Sequence, residues 1–281
     1  MILVTGAAGQ LGTDVVKELI KRKIDHVGID IADLDITNSD AVSEYFKNFK
    51  PKSVIHCAAY TAVDKAEDEP DLCYRVNAEA TERIARCCCE TGADMVYIST
   101  DYVFDGVGDK PYEISDAKAP TSVYGKSKLE GELAVQKFLD NYFIVRVSWV
   151  FGRAGQNFVK TMLKLALSRD ELGIVCDQIG SPTYTPDLAA LLCDMILSKK
   201  YGIYHATNEG YNSWAEFALE IMQQSGSLCK INPIPTEQYP TKATRPKNSR
   251  LSKASLDKAG FTRLPTWQDA LTRYLAGDKA E

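Results

Sequence analysis

Short apolar runs alternate with amphipathic stretches through the first half of the chain. MILVT, at 1–5, is uninterrupted and apolar, the pattern of a strand buried on both faces. From Gln10 the period changes to that of a helix: Leu11, Val15 and Leu19 share one face, with Val16 and Ile20 beside them. HVGID reads as a second strand, AVSEYFKNF as a short helix stopped before Pro51, and SVIHCAA as a third strand. LCYRVNAEATERIARCCCETG predicts a long helix with Leu72, Val76, Ala80 and Ile84 on its inward stripe and Gly92 ending it. MVYIST is a fourth strand, SVYGKSKLEGEL the next helix, and FIVRVSWV a fifth strand. Strict alternation of strand and helix implies right-handed crossovers and a parallel sheet. The expected fold class is α/β, a Rossmann-like doubly wound parallel sheet with a smaller C-terminal substrate-binding lobe.

The second half is less regular. NFVKTMLKLALSR is an amphipathic helix, DLAALLCDMILSK a second with Asp187 as N-cap, and WAEFALEIMQQSG a third. The third carries a capping box, Ser213 with Glu216, and a closing Gly226. Between them lie the turn-rich stretches DQIGSPTYTP and NPIPTEQYPTKATRPKNS. Long irregular loops in a compact domain are usually functional. The expected division is a dinucleotide-binding domain over 1–150, with a return segment near 183–202, and a substrate-binding lobe made mainly of 151–281.

Composition narrows the classes. A chain of 281 residues buries a sizeable core, and its net charge of −5 argues against nucleic acid as a partner. No apolar run reaches the ~18 residues of a membrane span, and the basic, apolar opening of a signal peptide is missing. A cytoplasmic protein is expected. Eight cysteines include three in a row, Cys87, Cys88 and Cys89, which point in different directions on a helix and cannot share one ion. They read as reduced thiols, and no metal site is expected.

Two groups of residues suggest chemistry. Gly6, Gly9 and Gly12, with Gln10 and Leu11 between them, join the first strand to the first helix. Glycines there let the backbone approach a pyrophosphate, whose charge then sits on a helix N-terminus. Asp30 ends the second strand, 18 residues after Gly12. A carboxylate there accepts from an adenosine ribose and repels a 2′-phosphate, which favours NADH. Asp35 and Ile36 could border the adenine. Ala58, Ala59 and Tyr60 follow the third strand and let a cofactor lie close to the backbone.

Thr100 closes the fourth strand, and Tyr124 and Lys128 stand four residues apart, one helical turn. A cation ~5 Å from a phenol at an effective dielectric of ~20 favours the phenolate by about 3 kcal/mol, roughly 2 pK units below its usual ~10. Thr100 would bind the oxygen of a carbonyl, Tyr124 would give it a proton, and Lys128 would hold the nicotinamide ribose and depress the phenol.

At these residues the chain resembles the extended short-chain dehydrogenase/reductase family. TGAAGQLG, HCAAYTAVDKAE, STDYVFDG, YGKSKLEGE, RVSWVFG, DQIGSPTYTPDLA and TRPKNSRL carry the likeness, in order along nearly the whole chain. Within the family, the resemblance implies reduction of the C4 ketone of a nucleotide-diphosphate keto-sugar, dTDP-linked 4-dehydro-L-rhamnose, with NADPH or NADH. It puts catalysis on Thr100, Tyr124 and Lys128, and sugar contacts on Val63, Thr100, Asp101, Tyr102 and Trp149. Cofactor contacts fall on the glycine turn, Asp30, Ala58 to Tyr60, Tyr124, Lys128 and Asn77, although Asn77 reads equally well as a bridge between buried backbone groups. Arg245 and Arg250 would serve the diphosphate. Some family members bind magnesium at a dimer contact; only Asp14 stands out here as a comparable acid. A homodimer is left open. Two alternatives compete: an epimerase or dehydratase of nucleotide sugars, and a non-catalytic subunit resembling the regulatory subunit of methionine adenosyltransferase.

Overall fold

The computed structural model describes residues 1–277. Its centre is a six-stranded sheet built of β1 (Ile2–Thr5), β2 (His26–Ile29), β3 (Ser53–His56), β4 (Asp94–Thr100), β5 (Tyr142–Val147) and a later strand, Gly202–His205. The later strand borders β5, and the order continues β4, β3, β1, β2. Every pairing is parallel, with Thr5 level with both Ile29 and His56, and Thr100 level with Val147. After β1 the chain runs outward to β2 and then returns to β3 on the other side. That reversal opens a crevice beyond the carboxyl ends of β1 and β3.

Helices cover both faces. α1 (Gln10–Lys21) and a later helix, Thr185–Ser198, bury Leu11, Val15, Leu19, Leu188 and Leu192 against one face. On the other, α2 (Ser39–Phe49) supplies Val42 and Phe46, α5 (Ala80–Thr91) Ile84, and α6 (Val123–Phe138) Val135. Two short helices, α3 (Val63–Ala66) and α4 (Pro70–Tyr74), precede α5. A third core gathers Phe151, Val159, Met162, Phe217, Ile221 and Trp267 from the second half, including α7 (Phe158–Ala166). In chain order, the helix Thr185–Ser198 is α8 and Trp214–Ser225 is α9. α9 starts at the Ser213–Glu216 capping box and ends at Gly226, at φ 71°.

Four details differ from the sequence pattern. The fifth apolar run is not one strand: β5 stops at Val147, and Trp149 turns the chain at φ 49° before Val150–Phe151 pairs with Thr183–Tyr184. The sixth strand, Gly202–His205, was not among the expected strands because its run is short and mixed. Asp187 is not an N-cap; α8 begins at Thr185, and the Asp187 carboxylate pairs with Arg273 instead. The long third helix contains a π-turn over Arg75–Glu79. Its extra residue moves the inward face, so Cys73 and Asn77 are buried where Leu72 and Val76 were expected.

Candidate active site

The turn after β1 is shaped by close contacts. Gly6 sits at φ 66°, and a Cβ there would lie 2.7 Å from the Ala58 backbone. A Cβ on Gly12 would come within 2.1 Å of the Gly6 carbonyl oxygen. The glycine turn therefore lies flush against both its own helix and the segment after β3. Gly9 is the N-cap of α1 and offers no side-chain acceptor, and the first turn carries no acidic residue. The leading N–H groups of α1, at Gln10, Leu11 and Gly12, thus face the crevice mouth without side-chain caps, as an anion-binding helix start requires. These features fit a dinucleotide pyrophosphate.

Other residues expected at the cofactor support this turn. Asp30 Oδ2 accepts from Ala8 N–H at 2.9 Å and Oδ1 from Ile31 N–H at 2.8 Å. The carboxylate braces the glycine turn, with lone pairs left over for a ribose. Asp35 serves its own turn, accepting from the Thr37 N–H and hydroxyl, which hold its carboxyl below the usual range. Ile36 packs against the core beside Leu34. Asn77 is fully buried: Oδ1 accepts from Tyr60 N–H at 2.8 Å, and Nδ2 donates to Tyr60 C=O and to Ser127 Oγ, each at 3.0 Å. It thereby bridges the Ala58–Tyr60 segment to α6. Asp14 is buried and accepts from Thr185 Oγ1 at 2.5 Å. Among the described residues no cluster of three or more metal-ligating side chains occurs.

Thr100 ends β4 and its side chain meets Tyr124 of α6, one helical turn before Lys128. Thr100 Oγ1 donates to Asp101 Oδ1 at 3.0 Å, accepts from Tyr102 N–H at 3.2 Å, and reaches the Tyr124 phenol. Ser122 caps α6 through Gly125 N–H at 3.1 Å, so Tyr124 lies in the first helical turn with Lys128 directly behind it. The Lys128 ammonium stands 4.1 Å from the centre of the Tyr97 ring. The Tyr102 ring meets Tyr124 edge-on at 5.5 Å.

The electrostatics correct one expectation. Tyr124 is not depressed: the protein around the phenol pushes it above its ordinary value, the Thr100 hydroxyl opposing the shift. Lys128 is itself lowered to about 7, because desolvation outweighs the attraction of nearby groups. Burial of both partners wins over the cation–phenol attraction that the spacing suggested. Asp101 is raised to about 6, also by burial, and its Oδ2 lacks a hydrogen bond.

The remaining expected residues lie on several separate segments. Val63 opens α3, and the next residue, Asp64, is ion-paired with Arg245. Arg245 also donates to the Tyr102 hydroxyl at 3.0 Å, joining the late loop to the catalytic strand end. Arg250 is turned onto its own loop, donating to Asn248 Oδ1 at 2.9 Å. Trp149 stacks on Trp214, ring centres 3.7 Å apart. Asp64 and Trp214 escaped the sequence reading; Asp64 lies inside TAVDKAE, and its pairing with a residue 181 positions away leaves no local signal.

A parallel doubly wound sheet with a glycine turn after its first strand, and a Thr, Tyr and Lys at the end of its fourth, defines a pyridine-dinucleotide-dependent short-chain reductase. Comparison with known proteins narrows the class. Residues 1–279 match the family described as RmlD substrate binding domain. The dTDP-4-dehydrorhamnose reductase of Aggregatibacter actinomycetemcomitans is 41% identical, with 98% of each chain covered. A crystal structure of a dTDP-4-dehydrorhamnose reductase from Clostridium acetobutylicum superposes with a TM-score of 0.96 at 44% identity, covering 98% of each chain. The Bacillus anthracis dTDP-4-dehydrorhamnose reductase in complex with NADP gives 0.95 at 42% identity, again with 98% of each chain covered. The chain belongs to the dTDP-4-dehydrorhamnose reductase family.

Proposed function

We propose that this protein reduces the C4 ketone of dTDP-4-dehydro-L-rhamnose to dTDP-L-rhamnose with NADPH, and accepts NADH. The observation that carries the reading is the contact of the Thr100 hydroxyl with the Tyr124 phenol, with Lys128 one helical turn further along α6 and its ammonium over the Tyr97 ring, at the same sheet end as the glycine turn. The dinucleotide supplies the hydride when bound. Gln10, Leu11 and Gly12 N–H groups would hold its pyrophosphate and Lys128 the nicotinamide ribose; Asp30, its charge partly taken up by the Ala8 and Ile31 N–H groups, would meet the adenosine ribose at its 3′-hydroxyl, clear of the 2′-phosphate.

Tyr124, and Thr100 by turning its hydroxyl away from Asp101, would donate to the substrate carbonyl oxygen. As the carbon is reduced, the Tyr124 O–H bond breaks and its proton passes to that oxygen, giving the C4 hydroxyl. The raised phenol keeps its proton at neutral pH, the form a proton donor needs at the start of a reduction. The Lys128 charge stabilises the phenolate left behind until solvent restores the proton. Val63, Asp101, Tyr102 and Trp149 would shape the sugar site, and Arg245 and Arg250 would meet the diphosphate, Arg245 by leaving Asp64. The proposed division keeps residues 1–150 and the return through α8 as the cofactor part, with the core around Phe217 behind the substrate part.

The reading assigns the enzyme to the cytoplasm, where reduced pyridine nucleotide is supplied and thiols stay reduced; all eight cysteines are free. No helix of the described residues is long and apolar enough to cross a membrane. Loss of the reduced-nicotinamide absorbance on adding dTDP-4-dehydro-L-rhamnose, with one NADPH consumed per dTDP-L-rhamnose formed, is the expected result. A protein that interconverts sugar epimers without net cofactor consumption would contradict it.

A further inference from the structure

Tyr124, Lys128 and Glu132 follow one another at single-turn spacing along α6. Glu132 is 1% exposed and held on both oxygens. Its Oε1 accepts from Ser99 Oγ at 2.5 Å and from Arg146 Nε at 2.8 Å; Oε2 accepts from Arg146 Nη2 at 2.7 Å. Ser99 immediately precedes Thr100 on β4, and Arg146 lies on β5, fully buried between His205 and the Phe104 ring. One carboxylate thus joins the helix that carries Tyr124 and Lys128 to the strand that ends in Thr100. The helix can come this close because position 131 is glycine: a Cβ there would lie 2.2 Å from the Tyr97 hydroxyl.

We propose that Glu132 is a positioning residue of the reaction, which registers the catalytic helix against Thr100 and supplies the negative field in which Lys128 carries its charge. The proposal rests on the reductase reading given above.

The surroundings of Lys128 leave this role to Glu132 alone. The groups that act on the ammonium are Glu132 on its own helix, the Cys73 thiol of α4 and the Cys57 thiol after β3. Burial raises Cys57 to about 12 and Cys73 above its ordinary value, so both thiols are neutral near pH 7. The phenol facing it, Tyr97, is raised by burial, as is Tyr124 one turn before Lys128 on α6, and both are neutral. His56, on β3, is lowered to about 3 by burial and by Lys128 itself, and is uncharged. Glu132 is therefore the one anion acting on the ammonium among the described residues. Its two bonds to Arg146 and one to Ser99 leave it no freedom to swing away.

The experiment follows Lys128 directly. In cofactor-free protein with lysine isotope-labelled at Cε, the Lys128 resonance is assigned by its loss in Lys128→Arg and titrated by NMR. Glu132→Gln is expected to lower the Lys128 proton affinity about tenfold or more, the effect of removing an adjacent opposite charge. The alkaline limb of kcat/KM should move to lower pH by the same amount, with a lower kcat at every pH. Should Glu132→Gln fail to fold, Glu132→Gln/Arg146→Met removes the buried pair together and is expected to lower the titration in the same direction by a smaller amount, because loss of the Arg146 cation offsets part of the loss of the anion. An unchanged Lys128 titration in either folded variant overturns the proposal. Because this titration needs neither cofactor nor substrate, it decides the role of Glu132 even if wild-type protein does not reduce the proposed sugar.

Discussion

Tyr124 and Lys128 both lie in surroundings that disfavour their charged forms, and this sets a pH dependence. Lys128 has a folded value of about 7 against a usual value near ~10.4. Its charge is present below pH 7 and is lost as pH rises through that value. The phenolate formed during proton transfer then lacks its counter-ion, so kcat/KM should fall on the alkaline side from near neutrality; a profile flat to pH 9, as roughly expected of an unperturbed lysine, would contradict this. Tyr124→Phe removes the proton donor and leaves the ring contact with Tyr102 in place. Its kcat should drop at least ~100-fold while NADPH affinity, read by fluorescence titration, stays near the wild-type value. Gly12→Ala should do the opposite, abolishing NADPH binding, because the added methyl has no room against the Gly6 carbonyl. At this scale the sequence placed Tyr124 and Lys128 one turn apart and was misleading about their charge. Spacing on a helix puts Tyr124 next to Lys128, but burial is a property of the folded surroundings, and it reversed the sign of the phenol's shift.

Among the elements, the late loop around Arg245 ties the two halves of the chain across the crevice. Arg245 bonds Asp64 on α3 and the Tyr102 hydroxyl beside the catalytic strand end, and Lys242 pairs with Asp68. A guanidinium hydrogen-bonded to an anion contributes about 1.5–3 kcal/mol. Arg245→Ala should therefore raise KM for the nucleotide sugar by ~10-fold or more with kcat changed far less; an equal fall in kcat alone would remove Arg245 from diphosphate binding. The capping box of α9 gives a control on stability alone. Ser213→Ala removes the side chain that caps Glu216 N–H at 3.1 Å, and should cost about 1 kcal/mol in denaturant unfolding with turnover unchanged. That box was legible because its signal lies within four residues. The π-turn at Arg75–Glu79 and the break at Trp149 were not: neither has a glycine or proline to mark it, and tertiary contacts to Tyr60 and Trp214 hold the local geometry.

For the whole molecule, the alternation of buried strands and one-faced helices was enough to read the parallel sheet and the crevice at its reversal. The sixth strand and the clasp between Asp64 and Arg245 depend on pairings between distant segments, for which a single chain carries no periodic signal. A cofactor held on the tightly packed glycine turn also couples folding to binding. NADPH at 100 times its Kd should stabilise the protein by about 2.7 kcal/mol, seen as a rise of several degrees in Tm, and Gly12→Ala should show no rise.

The most direct test of the central claim follows the reducing hydrogen itself. With NADPH carrying deuterium at the transferable position of nicotinamide C4, the dTDP-L-rhamnose formed should hold one deuterium, bound to sugar C4, when read by mass spectrometry and NMR. A product without deuterium, or with deuterium at another carbon, would contradict hydride transfer onto a carbonyl held by Thr100 and Tyr124.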